Sequence, residues 1–336
     1  MEILRYLGLA SEPTWGADDP PTPAEWHVDA SSSSLTSPGE TSIVHEGGLG
    51  RAARTKRPGP YAPSGNIVVP VEMWSLPAYL RWALGSYEFT SEGGDGALHM
   101  HEAWGANDVL LPPFAAHVGK DHFEHVFVGC VANQLQLEVS DGMMIATLDV
   151  GAKVDSKASL TAAGDLELKD AAYLAFHEVD VKLGGESISD IVRSVELTVD
   201  NNLRGDSGRS VGSRYRRRIP AGERQVTVGF SLFDPSATIL LEGLWGGSDG
   251  PTDEGPDFAE VVLDMVPVDG SGSAKITLPR VLPESLPLEW SGRDEINPTW
   301  SGRAFVDTVT LADTTEVETD VLTSCDSEHG DLVPAP

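Results

Sequence analysis

The sequence predicts a mainly β fold, an antiparallel β-sandwich or half-barrel with one flanking α-helix and long loops. Apolar and polar residues alternate in many short stretches of the 336-residue chain, which is the period of half-buried strands. A single stretch, residues 71–84, has the clear apolar spacing of a helix. A two-layer β architecture with one helix against it buries the apolar faces of all these elements.

The clearest strands form a hairpin. Residues 134–139 read QLQLEV, Ser140, Asp141 and Gly142 make a turn, and residues 143–150 return. An Asp-Gly pair between alternating stretches is typical of a tight β-turn. By the same criterion, further strands are predicted at residues 41–45, 66–71, 176–183, 194–200, 225–232, 259–268, 274–278 and 305–311.

The helix has recognisable ends. Pro77 is tolerated in a first helical turn, which places the start of the regular helix near Ser75. Gly85 ends it. The apolar residues that give it buried faces are Trp74, Leu76, Leu80, Trp82 and Leu84.

Composition divides the chain into three parts. Residues 1–40 are predicted to be an N-terminal extension and residues 41–311 the β domain, with an extended Gly- and Pro-rich arm and a long loop. Residues 312–336 contain seven acidic and no basic residues, and we expect this acidic tail to be loosely ordered. The arm spans residues 41–65, and the loop spans residues 201–224.

The charges are unevenly distributed. The chain has 52 acidic and 23 basic residues, a formal net charge of −29. Ten of the basic residues lie in residues 51–57 and 204–218, and outside these segments there are 51 acidic and 13 basic residues. Seven Lys against 16 Arg and the carboxylate-rich composition indicate a protein adapted to high salt, where repulsion is screened within about 3 Å at 1 M.

Targeting and cysteine chemistry add little. The sequence has no apolar run long enough to insert in a membrane, and residues 1–10 lack the pattern of a signal peptide. Cys130 lies in an apolar stretch and reads as a buried thiol, and a disulfide framework with Cys325 is not supported.

The basic segments have three interpretations: docking on acidic sister subunits, binding of DNA phosphate, or a solvated loop. High salt and the acidic surroundings oppose the DNA interpretation. Docking on another copy is the interpretation we favour, with the loop projecting from the sheet. The expected subunit-interface residues are Arg51, Arg54, Lys56, Arg57, Tyr61, Arg214, Arg216, Arg217 and Arg218.

No catalytic, cofactor-binding or metal-binding residues are predicted, and the chain is not expected to be an enzyme. It lacks a Gly-x-Ser-x-Gly elbow and a phosphate-binding loop. A zinc or calcium site on the histidines stays open, although they lack a HExxH frame, and a Trp-lined sugar site is less expected than core or interface tryptophans. The histidines are His99, His101, His122 and His125, and the tryptophans are Trp245, Trp290 and Trp300.

The order of elements resembles the tail tube proteins of long-tailed viruses of bacteria and archaea. Four segments carry the resemblance, within residues 45–310: GGLGRAARTKRPGPY at 47–61, GCVANQLQLEV at 129–139, VRSVELTVDNNL at 192–203 and RIPAG at 218–222. The resemblance implies a β-sandwich flanked by a helix, whose sheets join into a barrel when six copies form a ring.

The resemblance also implies the partners and the location. Rings stack into a tube in the virion tail that is assembled in the host cytoplasm, and the genome DNA passes through it without specific binding. Tape measure, terminator and distal tail proteins are the implied neighbours, and the salt-adapted composition indicates a haloarchaeal host. The alternatives are a tail terminator or tube-end protein, a haloarchaeal carbohydrate-binding β-sandwich of the cell surface, and a secreted hydrolase.

Overall fold

The computed structural model of the chain describes residues 5–16, 23–38, 42–45, 55–91, 93, 97–107, 110–169, 172–205, 207–233, 238–253, 255–287 and 298–333. Its helices are α1 (Leu76–Leu84) and α2 (Thr238–Trp245), with 3₁₀ turns at Ala163–Asp165 and Phe176–Glu178. Its strands are β1 (Leu7–Ser11), β2 (Trp26–Val28), β3 (Ser32–Ser33), β4 (Ser42–His45), β5 (Thr55–Pro58), β6 (Ser64–Pro70), β7 (Gly85–Thr90), β8 (His99–Gly105), β9 (Phe114–Gly119), β10 (Glu124–Val139), β11 (Ile145–Gly151), β12 (Val154–Ala158), β13 (Val179–Leu183), β14 (Glu186–Ser187), β15 (Val192–Asp200), β16 (Gln225–Leu232), β17 (Ala259–Met265), β18 (Gly272–Ser285), β19 (Thr299–Ala304), β20 (Asp307–Thr310), β21 (Glu316–Thr319) and β22 (Leu322–Ser327).

Strand β10 belongs to two sheets. Its first half, residues 124–130, pairs with β9 and β12, and β9 continues through β1 to β2 in a small antiparallel sheet. Its second half, residues 131–139, pairs with β11 and β15 in a large sheet. The large sheet continues from β11 to β6 and β3, and from β15 through β16 and β19 to β18.

A glycine marks the change of sheet within β10. Gly129 has a φ of 65°, which favours glycine, and its amide donates to Glu12 Oε1 at 3.0 Å. A Cβ at this position would lie 2.9 Å from the Cβ of Lys153 and 3.1 Å from the Cα of Gly16. The chain therefore turns from one sheet into the other where only a residue without a side chain fits.

The predicted mainly β fold is confirmed, and the strands that alternation predicts are present, although others, among them β1, β8, β9 and β22, are not predicted. β10 and β11 form the expected hairpin, and β15 pairs with β16 along its length. The prediction for residues 176–183 is partly wrong, because residues 176–178 form a 3₁₀ turn before β13. The strand predicted at 305–311 is present as β20, which is more exposed than expected and pairs with β21 in a separate two-stranded sheet. The cross-strand pairings of the described residues do not return on themselves, so the large sheet stays open in one chain.

Helix α1 forms the centre of the core. It follows Ser75, has Pro77 in its first turn and ends at Gly85 with a φ of 95°, as the sequence predicts. All nine of its residues are buried, and Trp82 stacks on Phe114 with ring centroids 4.2 Å apart. The second helix, α2, was not expected. Within the described ranges, neither α1 nor α2 is long and apolar enough to cross a membrane.

The expectation that residues 312–336 are loosely ordered is wrong for the described part of this segment. β22 lies between β18 and β8 in the large sheet and alternates between half-buried and buried residues. Val321, Cys325 and Leu332 are buried in the core. The acidic composition concealed a strand whose buried face carries Thr323, Cys325 and Ser327, with Asp326 on the other face.

Arg81 connects the two ends of the chain inside the core. This residue of α1 is 8% exposed, and its guanidinium donates to the carbonyl of Leu332 at 2.7 Å and to Ser11 Oγ at 2.9 Å. Strand β1, which ends at Ser11, is itself wholly buried. Both terminal segments therefore pack against the same helix, while domain boundaries at residues 40 and 312 stay a prediction.

Replacing Arg81 tests this connection. Arg81→Met keeps most of the buried volume but removes the donors to Leu332 and Ser11, and we expect a loss of about 1.5–3 kcal/mol in the free energy of unfolding. Urea denaturation measures it. Arg193→Met, at an exposed position, is the control and should change stability by no more than about 0.5 kcal/mol. Equal stabilities of the two variants would contradict the connection.

Candidate channel and assembly surfaces

Four neighbouring strands of the large sheet present one continuous polar face. Along β10, β11, β15 and β16, buried apolar residues alternate with half-buried or exposed residues that point away from the core. Four residues of this polar face are acidic, and none is Lys or Arg. The polar face consists of Gln134, Gln136, Glu138, Ile145, Thr147, Asp149, Ser194, Glu196, Thr198, Asp200, Gln225, Thr227, Gly229 and Ser231.

The register aligns these side chains in rows across the strands. Asp149 and Asp200 both lie opposite Gln134, on its two sides. Glu138 lies directly opposite Glu196, and both are exposed. Directly opposed residues have Cβ atoms about 4.5–5.5 Å apart, so these two like charges destabilise the sheet. The polar face therefore keeps its negative charge at a cost in stability.

Basic residues are found at the margins of the polar face. Arg193 lies where the register of β15 shifts, and Arg303 lies on the next strand, β19, where it forms an ion pair with Glu223 at 3.4 Å. Apart from Ile145 and Gly229, the face itself presents polar side chains and carboxylates. Such a surface lacks the cations that bind phosphate.

The Arg-rich loop, residues 201–224, connects β15 to β16 and leaves from one end of the polar face, beside Asp200 and Gln225. The expectation that it projects clear of the core is wrong in part. The loop folds back on itself, because the Arg217 amide donates to the Gly208 carbonyl at 2.7 Å, and Ile219 and Pro220 are buried. Part of the loop is thus a structured element of the domain.

Tyr61 joins the end of the arm to this loop. Its amide donates to the Arg214 carbonyl at 2.9 Å, and the Arg214 guanidinium lies 5.2 Å from the centre of the Tyr61 ring. The ring also meets Tyr215 edge-on at 5.8 Å. Two predicted interface residues, Tyr61 and Arg214, are therefore in direct contact, but within one chain.

Asp155 of β12 contacts the chain on both sides of the hairpin of β4 and β5. It accepts hydrogen bonds from the hydroxyls of Ser37 and Tyr61, and its carboxylate lies 2.6 Å from His125 Nε2. Burial alone would raise the pKa of Asp155, but the hydrogen bonds from Ser37, Tyr61 and His125 outweigh it and hold the pKa below its ordinary value. The ionised carboxylate therefore anchors the hairpin of β4 and β5 at its base.

The remaining predicted interface residues differ in exposure. Arg216 is half-buried, whereas Arg217 and Arg218 are exposed and form no ion pair with any residue in the described part of the chain. Arg57 is exposed near the end of β5, the strand that also contains Lys56. Their role in an interface stays a prediction. Arg51 and Arg54 lie outside the described residues.

The histidines and tryptophans of interest are dispersed. Burial lowers the pKa of His101 to about 4, and its ring lies between the Tyr87 hydroxyl and the His329 carbonyl. His125 lies beside Asp155, away from His99 and His101 on β8. Within the described ranges no group of three His, Cys, Asp or Glu residues is arranged to hold a metal ion. Trp300 stacks on Phe230 in the core, and Trp290 lies outside the described residues.

Comparison with known families identifies the family of this chain. The sequence model of the phage tail tube protein family matches residues 4–292, most of the chain. The chain belongs to the phage tail tube protein family. A search of curated proteins finds no match. The family match ends before β19, so β19 to β22 lie outside it.

A tail tube protein is a structural component of the virion tail and works as an oligomer with other tail proteins. This family is structural in role. The functional features of such an oligomer are therefore surfaces, above all those that contact neighbouring subunits. The polar face and the Arg-rich loop are the candidate surfaces.

Sequence reasoning identified the Arg-rich loop but not the polar face. The signal was present, because the residues that alternate with the apolar ones in 134–139, 194–200 and 225–232 are polar or acidic and none is basic. What the sequence lacks is the register, which places three separate stretches and β11 side by side.

Arg217 and Arg218 are expected to act in assembly, and Arg214 in folding. Arg217→Ser with Arg218→Ser should leave the Tm of the monomer nearly unchanged and weaken assembly, because these exposed cations form no ion pair among the described residues and Arg217 loses only a surface hydrogen bond to Ser210 Oγ. Arg214→Ser should lower the Tm, because it loses the contact with Tyr61, a type of contact worth about 0.5–1 kcal/mol. Differential scanning calorimetry and sedimentation measure the two effects. Normal assembly of the Arg217/Arg218 variant would contradict the assignment.

The opposed glutamates predict a stabilising substitution. Glu138→Gln removes the repulsion from Glu196 and should raise the free energy of unfolding by about 0.2–1 kcal/mol at low salt, an increase that shrinks at 1 M KCl. Urea denaturation at both salt concentrations measures it, with Glu186→Gln, an exposed position that faces Leu183, as the control. A gain that is independent of salt would contradict the electrostatic origin.

Proposed function

We propose that this chain is the major tail tube subunit, that six copies form each ring, and that stacked rings enclose the channel through which the genome reaches the host. The polar face lines this channel. The observation that carries the proposal is the polar face itself: four adjacent strands whose outward residues include four carboxylates and no cation.

Barrel geometry supports a ring of about this size. Strands in a sheet lie about 4.8 Å apart and tilt by about 40° in a barrel. The four strands of the polar face from each of six copies give a wall about 48 Å across between backbones, and the flanking β6 and β19 would widen it further. A wall of this width leaves room for a DNA duplex.

The open sheet supports closure by other copies. The pairings within one chain leave β3, β7 and β14 with a partner on one edge only among the described strands. Unpaired strand edges promote association with another chain unless they are covered. In a ring, edges of neighbouring copies cover one another, and the barrel is completed by the oligomer.

The host is proposed to be a haloarchaeon, on the strength of the net charge of −29 and the scarcity of Lys. At molar salt the repulsion between like charges of the polar face is screened, while the carboxylates stay hydrated. The virion tail would then be assembled in a cytoplasm of high ionic strength. Tape measure, terminator and distal tail proteins are the proposed partners, as the resemblance implies.

Placing cations on the polar face tests the proposal. Gln136→Arg with Thr198→Arg puts two guanidinium groups opposite each other in the middle of the face. Repeated around the ring they should bind phosphate, so we expect virions with tubes of normal length and slower DNA ejection, with the defect decreasing as salt rises. Ejection is followed by the fluorescence of a DNA dye after receptor or detergent triggering.

The control is Thr308→Arg, on the exposed two-stranded sheet outside the polar face. Ejection at the parental rate by the Gln136/Thr198 variant would contradict the placement of this face in the channel. Counting copies in purified virions distinguishes a tube subunit from a terminator: a tube subunit is present in many rings, whereas a terminator caps one end.

A further inference from the structure

An apolar groove lies beside the Arg-rich loop. It encloses about 650 Å³, its walls include Trp15, Leu110, Leu111 and Ile219, and Arg217 and Arg218 lie at its rim. Leu110 is 57% exposed. Glu12 at the groove is turned to the backbone, where it accepts hydrogen bonds from the amides of Gly16 and Gly129. We call this surface the basic groove.

A cluster of exposed apolar side chains projects from another part of the molecule, next to the large sheet. Phe176, Val266 and Val268 are 50%, 58% and 81% exposed, and Met143 is exposed beside them. Their surroundings are acidic, with Asp141 and Asp269 exposed and Glu178 half-buried, although the exposed Arg193 is also near. We call this surface the acidic knob; its residues are Asp141, Met143, Phe176, Glu178, Val266, Val268 and Asp269.

Backbone hydrogen bonds hold the acidic knob together. The Phe176 amide donates to the Gly142 carbonyl at 2.9 Å, and the Val266 amide donates to the Glu178 carbonyl at 3.0 Å. The Val268 amide donates to Glu178 Oε1 at 2.7 Å. Three separate loops are thus fixed in one arrangement before any partner binds, which lowers the entropic cost of docking.

The two surfaces lie at opposite ends of β10 in the large sheet. Val131 lines the basic groove, and Val139 borders the acidic knob together with Phe176. Eight residues of extended strand separate them by about 27 Å. A chain therefore cannot place its own knob in its own groove, and the two surfaces are complementary only between copies.

We propose that the acidic knob of one copy docks in the basic groove of the next copy. Apolar side chains that are exposed in one chain, Val268 above all, are buried in the contact, while Arg217 and Arg218 face Asp269 and Asp141. The contact is head-to-tail, with different surfaces on the two copies, so it repeats into a ring or a stack and does not stop at a dimer. The inference rests on the proposed self-assembly of the tube.

Engineered cysteines test the docking. The native Cys130 and Cys325 are free and buried, so new surface thiols react without interference. In the full chain, Leu110→Cys with Val268→Cys should form disulfides between copies when assembled protein is oxidised with diamide. On a non-reducing gel the monomer band should be lost to a ladder of multimers that a reductant collapses. A second pair, Arg218→Cys with Asp269→Cys, tests the rim with exposed positions only.

The control pair is Leu168→Cys with Val268→Cys, because Leu168 is 53% exposed, like Leu110, but belongs to neither surface. It should remain monomeric on the gel, as should each single variant. Tubes that form without a ladder from either test pair would overturn the docking and leave the proposed tube function standing. Failure of the parent chain to form any oligomer would overturn both.

Discussion

The fold depends on one strand that serves two sheets. β10 pairs with β9 and β12 along its first half and with β11 and β15 along its second. The change takes place around Gly129, where the backbone has a positive φ and no room for a Cβ. Helix α1 packs against the same strand and is wholly buried. The core, the helix and the polar face are therefore positioned together, because each depends on the path of β10.

This arrangement separates the roles of the two faces of the large sheet. The inner face, with residues such as Leu135 and Leu197, is apolar and fixes the fold. The outward face contributes little to stability, and repulsion between the directly opposed Glu138 and Glu196 lowers stability. A sequence under selection for stability alone would replace one of them. The presence of both glutamates agrees with a surface that must not bind phosphate, as the proposed DNA channel requires.

The sequence predicts the strands well because alternation is a local signal. The hairpin of β10 and β11 and the pairing of β15 with β16 need no distant information. Prediction from the sequence fails where an element depends on contacts with residues that are distant along the chain. Residues 312–336, with seven acidic and no basic residues, suggest a tail, yet residues 322–327 form a strand between β18 and β8, more than 200 residues away in the case of β8. The Arg-rich loop is predicted to project from the sheet, but Tyr61, about 150 residues earlier than Arg214, orders part of it. Register and long-range partners set the main limit, together with elements such as α2, β1 and β9 that the sequence does not predict.

The central claim is that the polar face of β10, β11, β15 and β16 lines the channel of a multi-copy tube. A cryo-electron microscopy reconstruction of tubes from purified virions tests it most directly. The account predicts that Gln136 and Thr198 lie at the inner radius, facing a continuous axial channel, with β10 part of a barrel closed by neighbouring copies. A reconstruction that places these residues on the outer surface, or buries them between rings, would contradict it.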